Sequence, residues 1–213
     1  MKPVTDAIAP MCRKGTVMYH PGNRELQDRF DSRRIADRLV EVLHRVQFTD
    51  DDRAFIESRP LFFLATADAA GAPDCSYKGG RPGFVRVVAP DTIAFPSYDG
   101  NGMFKSLGNV LVNPRVGLLF VDFEQPRRLR VNGVATIDTA DPLLPAFDGA
   151  QLVVRVRAEH IFPNCPRYIH RMAVEELSPY APAPGHVPPV PAWKQMDAFR
   201  DYLPREPVEP PSS

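Results

Sequence analysis

Cysteine is scarce and scattered in this chain. Cys12, Cys75 and Cys165 are odd in number and far apart, which argues against a disulfide framework and against a zinc site built on paired cysteines. They read as reduced thiols. An excess of one charge is also lacking: 26 Lys and Arg against 26 Asp and Glu leave a formal net charge of +0, so no overall field draws nucleic acid or an anionic membrane to the protein. No apolar run approaches the roughly 20 residues that a membrane helix requires. The N-terminal MKPVTDAIAPMCRKG has no continuous apolar stretch of the secretory kind, and the expected location is the cytoplasm. The five histidines, His20, His44, His160, His170 and His186, form no metal-binding motif, and no nucleophile is paired with a base by sequence. No catalytic side chain is assigned.

Proline, by contrast, is plentiful and unevenly placed. Ten of the 24 prolines fall in 178–213, where they prevent regular ladders and favour extended backbone. Three regions follow: an N-terminal extension with helices (1–58), a β-rich domain (59–177) and a Pro-rich C-terminal tail with a short helix (178–213). In the first, Ile35, Leu39, Val42, Leu43 and Val46 recur at helical spacing over 31–46, and Thr49 with Asp52 predicts a capping box opening a helix over 49–58. In the tail, 191–203 has Trp193, Met196 and Phe199 at helical spacing. A helix is also expected over 167–177, with Cys165 buried beside it.

Between them the period changes to that of strands. Runs at 61–68, 74–80, 84–89, 92–98, 115–124, 127–138 and 151–162 are β-rich and separated by turn residues. One helical patch interrupts them at 102–113, with Met103, Leu107, Val110 and Leu111 assigned to its apolar side and Asn113-Pro114 stopping it. The fold class is mainly β with α. About seven antiparallel strands with an inserted helix imply a small closed or split barrel.

The chemistry concentrates in SYKGGRPGFVRV (76–87) and in FPSYDGNGMFKSLGNVLVNPRVGLLF (95–120). Ser76 and Lys78, two residues apart in a strand, share a face. Lys105 and Ser106 open the inserted helix, where free backbone N–H groups favour an anion. Lys78, Lys105, Ser106 and Arg130 are the candidate phosphate ligands, although a helix lysine or a strand arginine is, taken alone, an ordinary solvated charge. Gly79, Gly80, Gly100 and Gly102 would admit backbone close to a flat ring, with Asn101 on its polar edge and Tyr77, Pro96 and Met103 packing it.

Residues 60–140 resemble the flavin-binding split barrel of the pyridoxamine 5'-phosphate oxidase family, particularly its bacterial FMN-binding branch. The resemblance is carried by FFLATAD (62–68), SYKGG (76–80), PGFVRV (82–87), the run 95–120 and RRLRVNGVA (127–135). It implies FMN as cofactor, lined by Ser76–Gly79 and Ser97–Ser106, with Arg86 and Arg130 reaching its edge or phosphate. It also implies a homodimer with flavin at the subunit interface. Hydride would pass between a small-molecule substrate and the flavin; the alternative is a non-catalytic flavin-binding or sensing module with a protein partner. Relatives using deazaflavin or haem are a third reading, with haem last because the histidines are unordered. The chain departs from the family's oxidases in two places. Their Arg-Lys pair is replaced by NGMFK (101–105), with only Lys105 remaining, and RYIHR (167–171) echoes their C-terminal substrate motif only superficially.

Overall fold

The computed structural model describes residues 18–204. The readings placed on the N-terminal segment, Cys12 and the last nine residues lie outside that range. The chain divides into two compact units, one ending at His44 and one beginning at Arg45, so the helix opened by Thr49 belongs with the strands.

In the first unit two helices follow each other, α1 (Pro21–Arg29) and α2 (Arg33–Leu43). Sequence periodicity had given only the second. Proline at the first turn of α1 suits a position whose N–H has no helical partner. The two helices are tied by Arg33, which grips Asp28 with both nitrogens at 2.5 and 2.6 Å, and by Arg24 on Asp37 at 2.7 Å.

The second unit opens with α3 (Asp50–Glu57), and the capping box forms: the Asp52 N–H donates to Thr49 Oγ1 while the Thr49 N–H donates back to Asp52. Seven strands follow, β1 (Leu61–Ala67), β2 (Pro73–Gly79), β3 (Arg86–Ala89), β4 (Thr92–Tyr98), β5 (Arg115–Asp122), β6 (Arg127–Asp138) and β7 (Ala150–Asn164), with α4 (Lys105–Val112) between β4 and β5. They form one antiparallel sheet in the order β2-β1-β5-β6-β7-β4-β3. Its two end strands do not pair with each other. The barrel is therefore split, not closed, and Gly80–Val85 spans the gap between its edges.

Alternation decides the core. Phe62 and Leu64 of β1, Phe95 of β4, Leu118 and Phe120 of β5, Leu129 and Val131 of β6 and Val156 and Ile161 of β7 point inward and are almost fully buried. Phe62 is their hub, with ring centroids 5.0 Å from Phe95, 5.2 Å from Phe120 and 5.9 Å from Phe84.

β7 changes parity where it pairs with β6. Asn132 pairs with His160 but Gly133 pairs with Ala158, leaving Glu159 as an extra residue in a bulge. Gly133 is fixed by this crossing, because a Cβ there would lie 2.2 Å from the Arg157 carbonyl oxygen.

On the outer side of β4 and β7 a smaller cluster, Ala94, Phe147 and Val153, is covered by the turn around Leu144–Ala146. Arg155 holds the buried Asp141 there at 2.5 and 2.9 Å, and that hydrogen bond keeps the Asp141 carboxyl below the usual carboxylate range. Because the folded-state value is depressed, the stabilisation is complete above about pH 4, the unfolded value. It is lost as pH falls through the folded value. A urea titration in acid should show this loss, and Asp141→Asn should flatten the acid limb.

Three expected features differ. Met103 precedes α4 and is exposed, as is Leu111, so only Leu107 and Val110 form its apolar face. Residues 167–177 are irregular and solvent-facing rather than helical, and Cys165 is exposed. The stretch lacks a buried surface to repay helix nucleation. The C-terminal helix is cut in two at Met196, whose extended backbone separates Ala192–Gln195 from α5 (Asp197–Arg200).

Candidate functional site

α4 lies across the inward side of the β1–β2 hairpin through a ladder of polar side chains at helical spacing. Ser106 reaches Asp74 and Ser76, Asn109 donates to Thr66 Oγ1 at 3.1 Å, and Asn113 donates to the Asp68 carbonyl at 3.3 Å. The Ser106 hydroxyl lies 2.9 Å from both Asp74 Oδ2 and Ser76 Oγ. A hydroxyl has one hydrogen and a carboxylate only acceptors. Ser106 therefore serves Asp74, and its oxygen is left to accept from Ser76. Both hydroxyls are committed to holding the helix.

Beside this ladder a cavity of about 380 Å³ opens between β2, β4 and a segment beyond β7, toward the small end of the range for ligand sites. Its walls include Tyr77, Lys78, Gly79, Pro96 and Ser97 from the sequence-derived set. Gly79 has a specific part: a Cβ there would lie 2.6 Å from the Tyr77 ring, so its absence lets that ring lie back along the strand.

Lys78 is the cation of this cavity. It shares the inward face with Asp74 and Ser76, lies opposite Phe62 in the β1–β2 register, and has no hydrogen bond or ion pair among the described residues. Burial pulls its ammonium below the ordinary lysine value, while the charge of Asp74 acts the other way. Tyr98, also lining the cavity, has its hydroxyl pushed up to about 12, by burial first and by Asp148 second. Both are neighbours that a polar ligand would find already desolvated.

The remaining candidates stand elsewhere. Arg86 faces outward, stacked 4.5 Å over Phe147 with Nη2 donating to the Ala146 carbonyl at 2.8 Å. Arg130 is exposed on β6, 6.0 Å from the Phe162 ring. Asn101, Met103 and Lys105 are exposed and outside the cavity lining. Asn101 is turned onto its own loop, accepting from the Met103 N–H at 3.0 Å.

The family model for pyridoxamine 5'-phosphate oxidase matches residues 48–180, more than half of the chain. The protein belongs to the pyridoxamine 5'-phosphate oxidase family. No curated protein matches it. Among solved structures, HupZ of Group A Streptococcus is 21% identical, covering 59% of this chain and 99% of its own with a TM-score of 0.45. An FMN-binding protein of Syntrophomonas wolfei is 13% identical, covering 67% and 97% with a TM-score of 0.44. The haem storage protein HutZ of Vibrio cholerae is 17% identical, covering 55% and 95% with a TM-score of 0.41.

In this member of the pyridoxamine 5'-phosphate oxidase family, sequence reasoning missed two groups. Asp74 carried no signal, because an acidic residue is not sought in an anion site. Val174, Glu176, Leu177 and Tyr180 form part of the cavity lining, whereas the sequence reading expects a helix over 167–177 and assigns Tyr180 no role. Tyr98 falls within the Ser97–Ser106 segment that the resemblance implies. Among the described residues no helix is long and apolar enough to cross a membrane, and no three His, Cys, Asp or Glu side chains gather as a metal site.

Proposed function

We propose that the protein binds FMN in the cavity between β2 and β4 and works as a flavin-dependent oxidoreductase on a small organic substrate. The observation that carries this reading is Lys78, a half-buried cation without an acceptor, in a cavity walled by Tyr77, Pro96 and Gly79. A phosphate would satisfy Lys78 by a charge-assisted hydrogen bond, and the walls suit a flat ring. The lining has no histidine, cysteine or methionine, the side chains that most often hold haem iron, which favours flavin over haem.

Bound FMN would supply the hydride chemistry. The chain's own residues bind and orient it: Lys78 fixes the anionic end, Gly79 lets the Tyr77 ring lie back along the strand as a wall, and the apolar walls exclude water. Ser76 and Ser106 act one step back, holding α4 against β2 so that Lys78 keeps its place.

The reading includes a homodimer. On the outer face of the sheet Tyr77, Phe63, Leu119, Arg130 and Phe162 form one row in register across β2, β1, β5, β6 and β7. Tyr77, also a cavity wall, is 61% exposed. A second copy covering this row would touch the cofactor cavity through Tyr77 and would bring Arg130 toward an interface.

A non-catalytic flavin-binding module is the second reading, favoured by the cavity's modest volume. The visible absorption spectrum of the purified protein, with release and mass identification of any chromophore, tests the proposal. A flavin spectrum reduced rapidly by NAD(P)H or by an amine substrate supports the oxidoreductase, and a flavin that never turns over supports the module. A colourless protein that also refuses added FMN removes both.

A further inference from the structure

The chain leaves the sheet at Asn164 and returns to the cavity. Val174, Glu176, Leu177, Ser178, Tyr180 and Ala181 line it together with Lys78 and Gly79. This segment is fixed at both ends. Upstream, the Met172 N–H donates to the Phe123 carbonyl at 3.1 Å. Downstream, Ala181 is buried, Pro182 packs on Gly149, and His186 Nε2 is 2.7 Å from the Pro179 carbonyl.

Between those anchors residues 173–180 have no regular structure and are all exposed. Their backbone makes few bonds: the Ala181 N–H reaches back to Ser178, and the Tyr180 N–H donates to Ser178 Oγ. Further along the chain Lys194 pairs with Asp99, itself a lining residue on the loop leading to α4. A segment pinned at its ends and loosely held in the middle opens more readily than a strand.

Resting on the flavin reading, we infer that residues 172–181 are a retaining strap: Val174 and Leu177 cover the bound ring, and opening of this strap sets the rate at which the ligand leaves. The pairing of Lys194 with Asp99 limits that opening. An apolar cover that touches the ligand slows its departure, because it must lift before the ring is hydrated, and it slows entry for the same reason. Loss of the cover therefore changes both rates more than it changes their ratio, whereas loss of Lys78 changes the ratio.

The test uses the full chain with FMN, whose fluorescence reports release when excess apo-flavodoxin-type acceptor protein traps it. Val174→Gly with Leu177→Gly should raise the release rate about tenfold, the loss of one to two apolar contacts. Lys194→Ala should raise it in the same direction. Hydrogen exchange on the unaltered protein gives a reading free of mutation: FMN should slow exchange of the 173–180 amides. If FMN binds but release from the strap variants equals that of the wild type and those amides are not slowed, the strap is wrong and the flavin site stands. If the wild type binds no FMN, both fall together.

Discussion

Replacing Lys78 with alanine should weaken FMN binding by about 10- to 100-fold, the loss of one hydrogen bond to a charged group of roughly 1.5–3 kcal/mol. The effect is large because nothing else in the lining offers a fixed cation to a phosphate. Lys105 is exposed outside the cavity, Arg86 is spent on Phe147 and the Ala146 carbonyl, and the hydroxyl of Ser106 is committed to Asp74 and that of Ser76 to Ser106. Folding should suffer little, since a half-buried ammonium without an acceptor is itself costly to desolvate. Lys78→Arg keeps the charge and should recover part of the affinity. Fluorescence titration with FMN measures each variant.

The same lysine sets a pH dependence whose sign is fixed. Burial lowers its folded-state pKa below the ordinary lysine value of 10.5, so between the two values the unfolded chain binds more protons and stability rises with pH. Phosphate binding needs the ammonium, so affinity should fall across that same alkaline window. Opposite trends in stability and affinity would identify Lys78 as the titrating group. An affinity that does not change with pH up to the ordinary lysine range would count against it.

Phe62→Ala should cost about 3–5 kcal/mol, the range for truncating a buried phenylalanine, and lower the melting temperature by roughly 10 °C. Phe62 has no exposed surface and contacts Phe84, Phe95 and Phe120, which come from the edge-spanning segment, β4 and β5. Collapse around the hole is limited because these rings are carried by three different elements, two of them strands fixed in the sheet. Phe62 also lies opposite Lys78 in register, so the variant should bind FMN less tightly. Urea unfolding with unchanged slope and a lower midpoint would separate this from a change in the unfolded state.

Most of the fold was legible because period-two alternation and turn residues bound each strand closely; β5, read at 115–124, runs Arg115–Asp122. The capping residues Thr49 and Asp52 gave α3 directly. Arg86 shows where site reading stopped. Its strand position was right, but parity places it beside Ala94 on the outer face, a fact that depends on which face the sheet curls around. Ser106 stands out in the sequence as a candidate phosphate ligand at a helix start, yet its partner Asp74 lies 32 residues away and no local pattern announces such a pair. The segment 167–177 has helical spacing, but its apolar residues meet the cavity rather than a packed face, so extended backbone prevails.

The strap follows β7 in the chain, and this fixes an order of events during synthesis. A ribosome completes all seven strands before it adds the residues from Cys165 to Ala181, which take about one to three seconds at ordinary elongation speeds. A nascent barrel therefore presents its cavity uncovered, and a small ligand already in the surroundings meets an open doorway before the door has been made.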